Sequence, residues 1–343
     1  MNSLNPCREH PETRHPHTEA LERRARTGDR QRCWWRGLAG ALFARGLRRS
    51  RNGSRDQRPR HTLGLVSILA MSLVVGWITS AAGQAINCGD TLGPGGIFQL
   101  QADLVCGDVS PALTVRDRAQ VDLSGHAIVG SGPGEVVVLL DGQGAVLRNG
   151  SVRSDQPVRG ISVAGSGGHI VLDVDASALS TGITVSSDRN RLLRNTAIES
   201  ELGFSIQGSE NLLVGNVGSG QGGFTVTGTA NLLFQNAISG VRAFGFAIVG
   251  DNNQLVSNTA LSDNDQGSFI IAGDRNRVDG NVASNGNAGI SVSGQENVMV
   301  GNTALENRTD LVDTHEDCDT NLWQQNIFLT SLAGSIEKPA CIQ

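Results

Sequence analysis

Asparagine has the most regular spacing of any residue type in this chain, and its amide could serve either chemistry or structure. Pairs of asparagines five residues apart recur every 20 to 24 residues. An amide both donates and accepts hydrogen bonds and tolerates left-handed backbone, so copies stacked above one another can bond together. The repeat therefore predicts a structural ladder rather than a catalytic centre. Its members are Asn190, Asn195, Asn211, Asn216, Asn231, Asn236, Asn253, Asn258, Asn276, Asn281, Asn297 and Asn302, with Asn321 and Asn326 after them.

Large apolar residues also recur once per repeat, at fixed distances from the asparagines. Two columns lie two residues apart, with mainly serine and threonine between them, and this period of two predicts strands with one buried face. One unit before Asn190 and Asn195, the same repeat spacing counted from Gly160 predicts that Gly168 and Asp173 take the two asparagine positions. The two columns are Ile161, Ile183, Phe204, Phe224, Phe246, Phe269 and Ile290, and Val163, Val185, Ile206, Val226, Ile248, Ile271 and Val292.

Two further apolar columns follow the asparagines, so each unit holds about three short strands. Such a unit cannot bury a core alone, but stacked units can, and each column then becomes a parallel sheet with like residues about 4.8 Å apart. The sequence predicts an all-β solenoid, a parallel β-helix of about ten coils. We place it at residues 113–309, with an N-terminal cap at 86–112 and the last coil and C-terminal cap at 310–343.

The cysteines of the repeat region lie only near its two ends. Cys88 and Cys106 precede the repeats, and Cys318 and Cys341 follow them. Four cysteines allow three pairings, and proximity in sequence favours Cys88 with Cys106 and Cys318 with Cys341. We expect two disulfides that pin the end caps, because a solenoid must cover its open strand edges.

Charge divides the chain into a basic leader and an acidic body. Residues 1–61 hold 15 arginines and 6 acids, whereas the remaining 282 residues hold 13 basic residues and 27 acids. The acidic balance disfavours nucleic acid as a partner of the body. Residues 1–60 have the composition of a disordered segment, or reflect a start codon assigned too early.

Residues 61–85 have the features of a secretory signal. A basic flank precedes an apolar run of about 16 residues, and small residues follow it. The alternative is an uncleaved membrane anchor, although a span needs roughly 20 residues. We therefore expect a secreted, periplasmic or cell-surface protein that contacts a membrane only if the signal is retained.

Three groups of acids are candidates for binding a cation. Asp251 and Asp274 fall at the same place in adjacent coils, where two carboxylates about 5 Å apart repel unless calcium or Arg275 bridges them. Asp263 and Asp265 form a second, weaker candidate. A third group comprises Asp310, Asp313, His315, Glu316, Asp317 and Asp319. For this group a polar cap loop is the simpler interpretation than a metal site.

No set of residues converges as a catalytic site requires. The outward columns of the first strand in each unit contain no carboxylate, histidine or arginine, which argues against a hydrolase there. The arginines fall in two clusters several coils apart, namely Arg189, Arg191 and Arg194, and then Arg275 and Arg277. Because the clusters cannot converge on one substrate atom, we expect these arginines to be solvated turn residues. Three histidines and the single methionine of the body, Met299, are too scattered to favour copper delivery.

The repeat unit G-(I/F)-x-(V/I)-x-G-x-x-N-x-L-x-x-N-x-A resembles that of the right-handed parallel β-helix proteins of the pectin lyase-like superfamily. The stretch from Asp122 to Gly130, DLSGHAIVG, resembles a phrase found near the start of many such bacterial proteins. The resemblance covers about residues 86–343 and implies a right-handed parallel β-helix. For function it implies only a range: polysaccharide lyases, glycoside hydrolases, uronan epimerases, copper-site maturation proteins and secreted proteins of other roles.

The leading functional hypothesis is a secreted rod that binds extended glycans or proteins along its surface. A polysaccharide lyase or uronan epimerase is the first alternative, and a purely structural or adhesive surface protein is the second. The nearly constant turn lengths argue against a walled catalytic cleft. No cofactor is predicted except calcium at Asp251 and Asp274.

Overall fold

The computed structural model describes residues 85–131, 135–262 and 267–343. The leader, nearly all of the signal segment, Cys7, Cys33, Asp263 and Asp265 lie outside these ranges. Within them the chain forms thirty β-strands and no helix, so no helical segment there could cross a membrane. The strands wind into a solenoid of about eleven turns, one more than the repeat count predicts.

The first of three parallel sheets holds one strand from every turn. Its register joins equivalent residues, such as Ile183 with Phe204 and Phe204 with Phe224. In stacking order its strands are β1 (Asp90–Leu92), β4 (Leu113–Arg116), β7 (Val136–Asp141), β9 (Arg159–Val163), β11 (Thr181–Val185), β13 (Thr196–Gln207), β15 (Val217–Thr227), β18 (Phe244–Val249), β21 (Gly267–Ala272), β24 (Ala288–Ser293), β27 (Thr309–Asp313) and β29 (Ser331–Ala333).

The second sheet contains the strands between the two asparagines of each pair. They are β2 (Ile97–Gln99), β5 (Gln120–Asp122), β8 (Val146–Ser154), β10 (Ile170–Asp175), β12 (Arg191–Leu193), β14 (Leu212–Val214), β16 (Leu232–Phe234), β19 (Gln254–Val256), β22 (Arg277–Asp279), β25 (Val298–Val300) and β28 (Leu322–Gln324). All its pairings are parallel and in register.

The third sheet follows the second asparagine of each pair. It contains β3 (Leu104–Cys106), β6 (Ala127–Gly130), β17 (Ala237–Val241), β20 (Thr259–Ser262), β23 (Val282–Ser284) and β26 (Thr303–Leu305), together with parts of β8, β10, β13 and β15. β13 and β15 continue from the third sheet into the first without a break. The chain ends with β30 (Ile336–Glu337), which is antiparallel to β29.

The apolar columns fill the interior, and every residue of the two first-sheet columns is buried. Phe204, Phe224, Phe246 and Phe269 stack face to face, with centroids 4.3, 5.0 and 4.8 Å apart in consecutive pairs. These distances match the spacing of coils about 4.8 Å apart. The predicted fold is therefore confirmed: an all-β parallel solenoid whose like residues stack.

The asparagine amides form two continuous hydrogen-bonded ladders inside the turns. Asn236 is representative: its Oδ1 accepts hydrogen bonds from the backbone N–H and the Nδ2 of Asn216, both at 2.9 Å. Its own Nδ2 donates to the Leu213 carbonyl at 2.9 Å and to Asn258 Oδ1 at 3.0 Å. In the ladder of second asparagines, each side chain thus accepts a backbone N–H and donates to a backbone carbonyl of the same preceding coil. These are the groups that a buried turn would otherwise leave unpaired.

The ladder begins one residue later than the spacing from Gly160 predicts. His169 and Val174, rather than Gly168 and Asp173, donate their backbone N–H groups to Asn190 and Asn195. The turn after Val163 holds one extra residue, which shifts the register. Asp173 instead takes the left-handed turn position, with φ of 54°, that Arg194 takes in the next coil.

Both ends carry a disulfide. Cys88 bonds to Cys106 and Cys318 to Cys341, with Cα atoms 5.5 and 6.1 Å apart. Residues 90–106 already pair in register with the following coil through β1, β2 and β3. At the other end Trp323, which is 2% exposed, closes the interior beneath the last strands.

The ladder predicts a large cost for removing one amide. In Asn236→Ala, the donors of Asn216 and the carbonyl of Leu213 lose their partner in a buried site, at about 1–3 kcal/mol for each unsatisfied group. We expect the free energy of unfolding to fall by about 3 kcal/mol, measured as a lower urea midpoint. Gln254→Ala, an exposed neighbour on the next coil, is the control, and an equal effect of the two substitutions would contradict the ladder.

Candidate functional site

The outward face of the first sheet is lined by hydroxyl groups. Ser162, Thr184, Ser205 and Thr225 pair in register on four successive coils, and each side chain is half-buried. The next outward column includes Ser186, Gln207 and Thr227, which are exposed. None of the residues that the structure describes in these two columns carries a charge, from Ser162 up to Ser293. We call this surface the hydroxyl face.

Phe244 interrupts the hydroxyl face with a half-exposed aromatic ring. Its partner on the preceding coil is Gly222, and a Cβ atom added there would lie 2.7 Å from the ring. On the following coil Gly267 takes the same position, two residues before the Phe246–Phe269 pair. The ring therefore has no side chain beside it in its own column. The columns predicted from the sequence do not include Phe244, although its spacing of two residues from Phe246 carries the signal.

Val249 and Ile270 extend this apolar spot to the neighbouring positions. Val249 is 51% exposed, and Ile270 is half-buried on the next coil. Thr227 lies in register beside Val249 on the preceding coil, where Thr225 pairs with Ala247. The arrangement combines an apolar platform with hydroxyl donors and acceptors, which is the composition of a binding surface rather than of acid–base machinery.

The predicted calcium ligands, Asp251 and Asp274, have protein partners. Asp251 Oδ1 accepts the backbone N–H of Asp274 at 2.9 Å, and its Oδ2 lies 3.4 Å from Arg275. Asp274 Oδ1 in turn accepts the N–H of Gln295 at 2.8 Å. The pair thus forms a short carboxylate ladder beside the asparagines, in which backbone donors satisfy one oxygen of each group.

The two arginine clusters are part of the turns and do not meet at a site. Arg194 makes two hydrogen bonds, of 2.8 and 2.7 Å, to Asp173, and this contact raises the pKa of the guanidinium above its ordinary value. Arg277 pairs with Asp279 on its own strand. These side chains are exposed or half-exposed, so we expect each pair to contribute little to stability.

Two carboxylates of the C-terminal acidic stretch are buried and belong to β27. Asp313 takes a core position that Val292 holds one coil earlier, and its Oδ2 accepts hydrogen bonds of 3.0 Å from Asn321 Nδ2 and Trp323 Nε1. His315 lies beside it, with Nδ1 3.5 Å from Asp313 Oδ1. The carboxylate therefore anchors the closing tryptophan, a role that the sequence pattern did not indicate.

Asp310 fixes the loop that follows β28. Burial raises the pKa of this carboxyl, but hydrogen bonds from the backbone of Leu329 and Thr330 and from Asn307 outweigh burial and hold it below its ordinary value. The group is 1% exposed. Asp310 and Asp313 together thus form a polar, fully bonded end to an otherwise apolar interior.

His169 takes the first ladder position and is buried. Its Nδ1 accepts the Ala145 N–H at 3.1 Å, and its Nε2 lies 2.7 Å from the Ala164 carbonyl, which fixes a neutral ring with the proton on Nε2. Burial is the main reason that the pKa of His169 is lowered. The imidazole is thus a structural substitute for asparagine, with both ring nitrogens occupied.

This lowered pKa predicts that stability falls in acid. The unfolded chain binds the proton more readily, so the contribution of His169 is fully present above the ordinary pKa of 6.5 and is lost as the pH falls below it. Asparagine continues the ladder and does not titrate in this range. We therefore expect the melting temperature of His169→Asn to fall less in acid than that of the unaltered protein. Gln254→Ala, at an exposed position that carries no titratable group, is the control and should leave the decline unchanged.

A family model for NosD, described as a periplasmic copper-binding protein, matches residues 142–334. The match covers more than half of the chain. The protein belongs to the NosD family. The family is periplasmic, in agreement with the localisation expected from the signal segment. No curated protein sequence matches the chain.

Three solved structures are similar to this NosD-family chain at low identity. The Dettilon tailspike protein is 12% identical, with a TM-score of 0.49 over 69% of this chain, which spans 61% of the tailspike. The mannuronan C-5 epimerase A-module of Azotobacter vinelandii is 12% identical, with a TM-score of 0.46, over 71% of this chain and 88% of its own. A periplasmic alginate epimerase is 12% identical, with a TM-score of 0.24, over 74% and 78%.

Copper, which the family description names, does not fit the donors of the described residues. Met299 is 0% exposed in the core, and all four cysteines there are in disulfides. Both nitrogens of His169 are occupied, and no group of three or more histidine, cysteine or acidic residues is placed to hold a metal in the described ranges. His126 and His315 lie near opposite ends of the rod, each beside an aspartate.

Calcium at Asp251 and Asp274 remains a prediction that a melting experiment can test. These carboxylates already contact backbone donors and Arg275, so the alternative is that neither added calcium nor a chelator changes the melting temperature. A calcium-dependent rise that disappears in Asp251→Asn, but persists in Asp188→Asn at the equivalent place three coils earlier, would establish the cation site instead.

Proposed function

We propose that this NosD-family rod is a non-catalytic periplasmic binding protein that holds an extended, uncharged glycan along the hydroxyl face. The observation that carries the proposal is the half-exposed ring of Phe244, which lies between two glycine positions on a face of serine and threonine side chains. Sugars present both hydroxyl groups and apolar C–H faces. An aromatic ring beside hydroxyl side chains offers a contact for each of them.

The shape of the face favours an extended ligand over a small one. Its columns run from β9 to β24, and hydroxyl side chains recur on the four successive coils of Ser162, Thr184, Ser205 and Thr225, about 4.8 Å apart. A polymer can make the same contact several times along such a surface. A compact ligand would need a concave pocket, with polar groups converging on one point.

The absence of charge in these columns, among the described residues, favours a neutral polymer. An acidic uronan chain bound here would leave its carboxylates without a cationic partner. The arginines of the turns are themselves paired with aspartates, as Arg194 is with Asp173. The acidic body as a whole would also repel a polyanion.

Binding to an array of neutral and acidic polysaccharides, followed by titration of the best ligand, tests the proposal. We expect Phe244→Ala to weaken binding at least tenfold, because stacking on the ring is lost while the fold is kept. Val282→Ala, which shortens a 38% exposed side chain on the third sheet, is the matched control and should bind as the unaltered protein does.

Three results would overturn the proposal. The first is no binding to any polysaccharide in the array. The second is equal affinity of the Phe244 and Val282 variants for the best ligand. The third is the appearance of new unsaturated ends or altered uronates during incubation with uronan polymers, which would show a lyase or an epimerase.

A further inference from the structure

Two glycines leave gaps in the outward column that contains Phe244. On successive coils this column holds Leu202, Gly222, Phe244, Gly267 and Ala288. A side chain at either glycine would point away from the rod, and an apolar side chain from a neighbouring position takes its place. The two gaps therefore become two apolar spots at the edge of the hydroxyl face.

The ring of Phe244 covers the first gap. A Cβ atom added at Gly222 would lie 2.7 Å from Phe244 Cζ and 3.1 Å from Leu202 Cδ1. The ring thus leans over the preceding coil towards the end of the leucine side chain, and both side chains are half-buried. Because Gly222 puts no side chain between them, they form the first apolar spot, centred on the coil of Gly222.

The side chain of Ile270 covers the second gap. A Cβ atom added at Gly267 would lie 2.8 Å from Ile270 Cγ1 and 3.4 Å from its Cδ1. Ile270 stands in the column where the neighbouring coils have Ala247 and Ser291. It is half-buried and leans along its own strand. It forms the second apolar spot, centred on the coil of Gly267.

The two apolar spots lie two coils apart along the rod. Gly222, Phe244 and Gly267 occupy successive coils, so the spots are separated by about 9.6 Å, twice the coil spacing of about 4.8 Å. Ala247 on the coil between them has only a small outward side chain. A chain that runs along the rod therefore meets an apolar spot at every second coil.

Sugar chains with β-1,4 bonds have the same period. In an extended chain of this linkage each ring advances by about one coil spacing and is turned over relative to the ring before it. The same apolar C–H face therefore recurs at every second sugar, along a straight line. Chains with α-1,4 or β-1,3 bonds coil, so their C–H faces do not recur in a straight row.

We propose that the hydroxyl face selects neutral β-1,4-linked polysaccharides, and that the first and third sugars of a three-sugar segment stack on the two apolar spots. The polymer then runs parallel to the rod, with one sugar per coil. Thr225 and Thr227 lie on the strand of Gly222 and offer hydroxyl groups beside the first spot. This selectivity rests on the glycan binding proposed above and adds the linkage and the register.

Isothermal titration calorimetry of the purified protein with neutral hexasaccharides of different linkage is the first test. We expect cellohexaose or mannohexaose, which are β-1,4-linked, to bind at least tenfold more tightly than laminarihexaose (β-1,3) and maltohexaose (α-1,4). The disaccharide of the best ligand should bind at least tenfold more weakly than its hexasaccharide, because two sugars cannot reach both spots.

The outcomes separate the linkage from glycan binding itself. Equal affinity for laminarihexaose or maltohexaose would overturn the β-1,4 selectivity and leave glycan binding in place. Equal affinity of the disaccharide and the hexasaccharide would overturn the two-spot register. Binding of none of these sugars, nor of any polysaccharide in the array, would overturn both proposals.

A substitution at the second spot tests the register directly. Ile270→Thr restores the hydroxyl type that this column has at Thr225, so we expect the fold and the melting temperature to be kept. The affinity for the best hexasaccharide should fall at least tenfold, because the third sugar loses its apolar contact. Val256→Thr, at a half-buried outward position of the second sheet, is the matched control and should bind as the unaltered protein does. Unchanged affinity in Ile270→Thr would overturn the second spot.

Discussion

The hydrogen bond between a side-chain amide and the next coil is the interaction on which this solenoid depends. Each turn between short strands leaves backbone donors and carbonyls inside the rod, away from water. The amides of Asn195, Asn216 and Asn236 occupy those groups and also bond to one another. Without them, burial of the turns would cost more than the three-residue strands of the second sheet could recover.

The same constraint explains the exceptions in the chain. His169 can replace asparagine at the start of the ladder only as a neutral ring, because both of its nitrogens face backbone groups. At the other end the stack stops, and a core position is taken by Asp313, whose carboxylate bonds to Asn321 and Trp323. The C-terminal end of the core is thus closed by a fully partnered carboxylate, and each end of the rod carries a disulfide.

Because equivalent residues stack from coil to coil, each sheet also presents its own kind of outward side chain along the rod. The first sheet presents hydroxyls around Phe244, and the second presents leucine, valine and phenylalanine. Each sheet of such a rod therefore presents a different kind of side chain to solvent over several coils. Among the described residues, no group of three or more histidine, cysteine or acidic side chains is placed to hold the copper named for the family.

The repeat by itself determined the architecture of this protein, because period-two columns and paired asparagines admit few other folds. It also identified the buried phenylalanines, the uncharged hydroxyl face and the disulfide pairs. The position of His169 depended on one extra turn residue, which periodicity does not register. The core role of Asp313 and the half-exposed ring of Phe244 were decided only by the tertiary structure. Both depend on which residues meet across coils, and sequence spacing alone does not determine what lies beside a side chain.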